Sequence, residues 1–222
     1  MKPERIATGV PGLDDLIEGG LIKGDIHILA GAPGVGKTNL ASSFVHNAVS
    51  KSKQKAVYAT FEESSEYLKQ NLSKLGIRFG QLEANGGLKL LDLDALRGKE
   101  LESNIQLLLS AVKETGSTLL VIDSLTALLL ASDSPFELRT FMKTMYRTLK
   151  GEKITAFMTL NHSTAAGFGI EGFVADSVML LENWLSSDQY KTRFIILKMR
   201  GTEHSRRYHS VIFSPAIAIS KY

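Results

Sequence analysis

Eight residues constrain this chain more than any others. "GAPGVGKT" runs from Gly31 to Thr38 and matches G-x-x-x-x-G-K-[ST] in full. Before it, "DIHILAGA" (Asp25 to Ala32) is a short apolar run ending in glycine, the pattern of a buried strand. After it, Leu40, Ala41, Phe44, Val45 and Ala48 recur on one side of a helix that starts near Lys37. A chance glycine turn with an incidental lysine gives no reason for a strand before it and a helix after it. Strand, glycine turn and helix in that order curl backbone N–H groups around an anion, with the partial positive charge of the helix N-terminus behind them. Pro33, Gly34, Val35, Gly36, Lys37, Thr38 and Asn39 are therefore the expected phosphate-binding residues. Lys37 is expected to reach β- and γ-phosphates, and the Thr38 hydroxyl to ligate Mg2+.

The pattern continues as strands alternating with helices. "KAVYATF", "LKLLDL", "STLLVID" and "ITAFMTL" are strand-like, and amphipathic stripes such as Leu68/Leu72/Leu75 and Leu101/Ile105/Leu108/Val112 lie between them. "SPFE" (Ser134 to Glu137) is a capping box with proline at the first helical position. Continuous apolar strands separated by helices predict an α/β fold with a mostly parallel central sheet covered on both faces. After Leu160 the segments "SVMLLENW", "TRFIILKM" and "SVIFS" follow one another without helices, which predicts a C-terminal antiparallel extension. At 222 residues and without a composition break, the chain reads as one domain. A lead segment (1–24) precedes a parallel core (25–162), and antiparallel strands occupy 174–222.

Several further residues carry chemistry. Asp123 ends the most apolar strand, so its carboxylate belongs on the C-terminal edge of the sheet, where open α/β sheets bind ligands. A helix-capping aspartate would look the same in isolation; beside a phosphate loop it is the expected second Mg2+ partner. Glu62 and Glu63 follow the second strand on that same edge, where a carboxylate can hold water in line with a γ-phosphorus. Spacing does not say which of the two is catalytic, and both also suit the acidic opening of a helix.

Lys198 and Arg200 lie two apart on a strand and share a face, while Ile195, Leu197 and Met199 are expected to take the other, toward the core. Two cations side by side fit best against an anion. A charged strand edge that blunts aggregation is the competing reading.

Composition excludes other chemistries. With no cysteine there are no disulfides, thiolate nucleophiles or cysteine zinc sites, and a reducing cytoplasm is the expected location. The net charge of +3 suits an anionic ligand but is too small to argue for nucleic acid by itself. The start of the chain has no apolar targeting region, and no apolar run is long enough to span a bilayer.

Six segments in order, "GVPGLDDLIEGGLIKGD", "GAPGVGKT", "TFEES", "LLVIDS", "FVADSVMLL" and "KMRGTEH", resemble the KaiC-like branch of the RecA superfamily of ATPases from about Arg5 to Ile219. The resemblance implies a RecA-like core with one strand between the phosphate-loop strand and the strand of Asp123. It also implies six-membered rings with ATP at each subunit boundary. Catalysis then falls to the Glu62/Glu63 pair, while Lys198 and Arg200 reach a neighbour's ATP beside Met199, Thr202 and His204. RecA relatives carry γ-phosphate-sensing polar groups at the end of the fifth strand, here Asn161 and His162; His162 could equally be an ordinary loop histidine.

The chain also departs from relatives. Two-domain clock proteins of this family carry a phosphoacceptor Ser–Thr pair just before the strand that here reads "FVADSVMLL". Gly172 and Phe173 stand there, so autokinase activity is not expected. The loop "STAAGFGIEGF" has no Lys or Arg, unlike the DNA-gripping loop of recombinases. The expected function is thus a slow, regulatory, ring-forming Mg2+-dependent ATPase acting on an unidentified protein partner. Two alternatives stand beside it: a DNA-binding recombinase relative, left open by Arg193, Arg206 and Arg207, and an ATP-gated scaffold with negligible hydrolysis.

Overall fold

The computed structural model describes residues 3–93, 99–131, 134–213 and 216–220, with the backbone alone for 99–102 and 135. The side chain of Leu101 and all of Ser214, both parts of predicted elements, lie outside the described residues. A ribbon of β1 (Arg5–Ile6) and β2 (Leu21–Ile22) leads into β3 (Ile26–Gly31) and α1 (Lys37–Ser50). There follow β4 (Ala56–Thr60), α2 (Ser65–Lys74), α3 (Phe79–Ala84), β5 (Leu88–Asp92), α4 (Lys99–Thr115), β6 (Leu119–Asp123) and α5 (Leu125–Leu130). The chain continues through α6 (Pro135–Gly151), β7 (Thr155–Asn161), α7 (Ile170–Val174), β8 (Ser177–Ser186), β9 (Gln189–Met199), β10 (His209–Ile212) and β11 (Ala218–Ile219).

Among the described residues, nine strands form one sheet in the order β11-β10-β9-β8-β3-β7-β6-β4-β5. β7 lies between β3 and β6, the arrangement that the resemblance implies. All six residues of β3 are buried, because both faces of a parallel strand at the centre of a sheet are covered. On one face, Leu40 and Phe44 of α1, Leu68 and Leu72 of α2 and Phe79 of α3 pack with Leu29, Tyr58, Val121 and Phe157. On the other, Leu108 of α4, Leu128 of α5 and Met142, Met145 and Leu149 of α6 pack with Ile28, Ile122 and Met158. The rings of Phe44 and Phe157 meet at 5.4 Å, fixing α1 over β7. Truncating so buried a phenylalanine to alanine costs about 3–5 kcal/mol. Local signals set the helix ends. Ser64 accepts from the Tyr67 amide and Ser134 from that of Glu137, while Gly76 supplies the positive φ that ends the α2 stripe.

Two expectations need correction. The strand beginning at Ser177 was expected among the antiparallel ones, but β8 runs parallel to β3, with His27 opposite Ser177 and Gly31 opposite Leu181. The crossover through α7 returns the chain to the same end of the sheet, so reversal begins only at β9. The second concerns β9 itself. Ile195, Leu197 and Met199 were expected opposite Lys198 and Arg200, but only Met199 lies there, buried on the α1 side with Phe194 and Ile196, while Ile195 and Leu197 pack on the α6 side, the side of Lys198. The cause is a register shift: Met179 pairs with Ile196 but Val178 pairs with Lys198, leaving Leu197 as an extra residue. Such a bulge breaks strict alternation, so Leu197 and Lys198 fall on one side in succession.

Candidate active site

The turn from β3 into α1 has the shape that a phosphate loop needs. Gly34 and Gly36 both have positive φ, and a Cβ on Gly36 would come within 2.4 Å of the Phe213 ring. Only glycine fits there on both counts. α1 begins at Lys37, whose side chain is buried and donates to the carbonyls of Gly31 at 3.0 Å and Ala32 at 2.9 Å. Burial holds the Lys37 ammonium below its ordinary pKa, against the pull of the charges on Asp123 and Glu62. Thr38 follows in the first turn of α1. The Gly31 carbonyl also accepts from the His162 amide, which ties the loop to the end of β7.

Asp123 ends β6 and is braced from both neighbouring strands. Tyr58 of β4 donates its hydroxyl to Oδ2 at 2.7 Å, and Thr159 of β7 donates to Oδ1 at 2.5 Å. The next residue, Ser124, donates its hydroxyl to Oε1 of Glu62 at 2.5 Å. Thr60 donates to the Glu63 carbonyl at 2.7 Å and accepts from the Glu63 amide, which turns the chain just after β4. Glu63 is held above its ordinary pKa by burial first, then by the charges of Asp123 and Glu62. Lys37, Asp123, Glu62 and Glu63 therefore form one electrostatic cluster at the C-terminal edge of the sheet. Its donor set fits Mg2+: a hydroxyl at Thr38 and a carboxylate at Asp123 are hard oxygen ligands, and each Asp123 oxygen keeps a lone pair beyond its one hydrogen bond.

A cavity of about 260 Å3 adjoins the loop along α1, lined by Asn39, Ser43, His46, Leu75, Phe213 and Ile217. It begins within the first turn of the helix, mixes apolar and polar groups, and has the size and position for the nucleoside end of a nucleotide whose phosphates lie in the loop.

Lys198 and Arg200 are elsewhere. Because β9 runs antiparallel to β8, its C-terminal end meets the start of β8, at the N-terminal edge of the parallel strands. Lys198 lies level with Ile28, three residues or roughly 10 Å below Gly31 along the strand direction and two strands away. Its ammonium donates to the carbonyls of Gly172 at 3.0 Å, Phe173 at 3.2 Å and Ala175 at 2.5 Å, around the end of α7. Arg200 donates to Phe173 O at 3.2 Å and pairs with the buried Asp176 at 3.6 Å. The predicted common face of the two cations holds. Burial, with Arg200 adding to it, lowers the pKa of Lys198.

His204 and Arg206 join Lys198 and Arg200 along an open groove of about 530 Å3. Met199 contributes little side chain to it, being 7% exposed and turned into the core by the bulge. Thr202 accepts from Arg5, which also donates to the carbonyls of Ile17 and Gly20 and pairs with Glu18. His162 engages its own loop, with Nε2 at 2.8 Å from the Ala166 carbonyl and its ring on that of Phe168.

Tyr58, Thr159 and Ser124 are parts of this cluster that pattern reasoning missed. A signal existed for Tyr58: inside a buried strand its hydroxyl must find a partner, and alternation gives it the same face as Thr60. Thr159 and Ser124 carried no such mark.

The sequence profile of the KaiC ATPase family matches residues 6–220. Among curated proteins, the circadian clock oscillator protein KaiC of Parasynechococcus marenigrum is 29% identical over 217 residues, covering 93% of this chain and 42% of the relative. That of Picosynechococcus sp. is 30% identical over 214 residues, covering 91% and 42%. The chain thus spans less than half the length of these relatives. Among solved structures, a KaiC-like protein from the hyperthermophilic archaeon Pyrococcus horikoshii OT3 superposes with a TM-score of 0.89 at 26% identity, covering 98% of this chain and 99% of that one.

Proposed function

The chain belongs to the KaiC family of ATPases, and from that membership we propose a slow, regulatory Mg2+-dependent ATPase whose sites are completed between neighbouring copies in a hexameric ring. The observation that carries the reading is the separation of two half-sites. Lys37, Asp123 and the glutamates occupy the C-terminal edge of the sheet, and Lys198 and Arg200 the N-terminal edge. One chain cannot bring its own two halves together, whereas head-to-tail contacts can, and such contacts close into a ring.

In this reading the loop from Pro33 to Asn39 holds the phosphates, and the nucleoside lies in the cavity beside Asn39 and Phe213. Thr38 and Asp123 would hold Mg2+, which when bound neutralises charge on the β- and γ-phosphates. Glu62 orients the attacking water and accepts its proton. Its hydrogen bond from Ser124 and its field at Lys37 favour it over Glu63, which supports it. Lys198 and Arg200 of one copy, with His204 and Thr202 alongside, stabilise the charge that develops on its neighbour's γ-phosphoryl group. His162 links β7 to the following loop and senses the γ-phosphate.

The proposal takes 1–222 as one ATPase unit (lead segment 1–24, core 25–162, C-terminal strands 174–222), cytoplasmic and serving a protein partner. Two apolar layers on the two faces of a single sheet support that unity. Among the described residues no helix is long and apolar enough to cross a membrane. The test pairs ATP turnover, with and without Mg2+, with molecular mass by light scattering in ATP and in ADP. Turnover that needs Mg2+ and a six-fold mass in ATP are expected. Full turnover from a monomer would refute the shared site.

A further inference from the structure

The carboxylate of Asp123 is clamped by hydroxyls from both flanking strands, and one clamp is a residue that a simple core would not choose. Tyr58 has no solvent exposure, its ring sits edge-on to Phe79 at 5.4 Å, and among the described residues its hydroxyl meets only Ser42 at 3.4 Å and Asp123 at 2.7 Å. Phenylalanine would fill the same space without bringing a phenol out of water, which costs free energy unless a partner repays it. The partner here is the group placed to hold a metal, not a backbone carbonyl. Register explains the reach. Tyr58 pairs with Val121, two residues before Asp123 on the same face, so the phenol leans diagonally along the sheet toward the carboxylate. Thr159 approaches from the opposite flank, one residue beyond the Met158–Ile122 pair.

We propose that Tyr58 is a positioning residue, which with Thr159 sets the orientation of the Asp123 carboxylate toward the Mg2+ that accompanies bound nucleotide. The proposal rests on the ATPase reading above. Two hydroxyl donors take one lone pair on each oxygen and leave the others open to a metal. Freed of one donor, the carboxylate can rotate, and metal and nucleotide then lose part of their mutual support.

The measurement is calorimetric binding of ADP with and without saturating Mg2+, giving the factor by which the metal tightens the nucleotide. It is made on wild type, Tyr58→Phe, Thr159→Val and Thr159→Ser. In Tyr58→Phe that factor is expected to fall at least about fivefold, or ~1 kcal/mol, a threshold set below the ~1.5 kcal/mol at which contributions of hydrogen bonds to charged groups begin. Metal-free ADP affinity should stay within about twofold of wild type, equivalent to ~0.4 kcal/mol. Thr159→Val should behave like Tyr58→Phe, and Thr159→Ser, which keeps the donor, like wild type. The half-saturating Mg2+ for turnover should rise in parallel. A purely structural role would lower thermal stability and leave the metal factor intact; that result in Tyr58→Phe overturns the proposal while leaving the ATPase reading standing. If wild type shows neither a metal factor nor turnover, both fall together.

Discussion

Lys198 and Arg200 donate to the same acceptor, the backbone carbonyl of Phe173, each at 3.2 Å. Their mutual repulsion is offset by carbonyl dipoles at the end of α7 and by Asp176, which also accepts from Lys150 at 2.8 Å and from the Ile26 amide at 2.9 Å. The strand edge is therefore not simply solvated. Both cations already hold oxygen, and a triphosphate from a neighbour would have to outcompete those carbonyls. In the proposed ring, an exchange of this kind would tie the end of α7 to the chemistry of the next subunit.

Arg200→Ala should leave nucleotide affinity within about twofold, ~0.4 kcal/mol, and lower hydrolysis at least about tenfold, ~1.4 kcal/mol of barrier. Mixed with a Glu62→Gln/Glu63→Gln protein, it should regain activity, because some interfaces in a mixed ring join an intact glutamate pair to an intact arginine. Mixed rings verified by mass spectrometry that stay inactive would rule out action in trans.

Lys37→Ala removes the buried ammonium from the loop. ATP affinity should drop at least about a hundredfold, or ~2.7 kcal/mol, given how strong charge-assisted bonds to phosphate are. Circular dichroism should be unchanged, since among the described residues the lysine's hydrogen bonds go to two backbone carbonyls, those of Gly31 and Ala32. Affinity close to wild type by calorimetry would remove the phosphate site from the loop.

Glu62→Gln is expected to preserve ATP binding and cut turnover at least about tenfold, which is ~1.4 kcal/mol. Glu63→Gln should cost less, because Glu62 is the carboxylate that accepts from the Ser124 hydroxyl and whose charge acts on Lys37. A larger loss from Glu63→Gln, read from steady-state phosphate release, would exchange their roles.

His27 predicts an acid weakness. It is fully buried, its Nδ1 lies 2.7 Å from the Ser177 hydroxyl, and its Nε2 lies 3.3 Å from the Ile22 carbonyl. The carbonyl can only accept, so Nε2 carries the proton and the ring is neutral. Burial lowers its pKa from 6.5 to about 4. The unfolded chain therefore binds a proton that the folded chain does not, and stability falls as pH drops from 6.5 toward 4. Between about pH 7.5 and about pH 5 the loss should be roughly 2 kcal/mol. Urea denaturation measures it, and His27→Asn should flatten the slope. An equal slope in that variant would assign the acid loss to carboxylates instead.

Legibility followed length and locality. The phosphate loop, Asp123 at a strand end and the glutamates after β4 were readable because each is set by its own immediate neighbours. β8 was misread as antiparallel because the direction of a strand's partner is settled by the crossover that precedes it, not by its own residues. α5 and α7 are too short for a helical period to emerge. The clamp of Tyr58 and Thr159 on Asp123 joins positions up to 65 residues apart, a relation that only the sheet order creates.

The bulge at Leu197 gives β9 one residue of slack. Substituting Leu197 leaves the count of residues intact, and a partly buried apolar position accepts other apolar side chains at small cost. Deleting Leu197 would remove the extra residue: Ile196 and Lys198 would then follow one another on opposite sides and keep Met179 and Val178 as partners. Every side chain beyond would keep its side, with Met199 in the apolar layer beneath α1 and Lys198 at the carbonyls of Gly172 and Phe173. Descendants of this sequence are thus free to vary residue 197, or to lose it, without carrying Lys198 and Arg200 through the sheet.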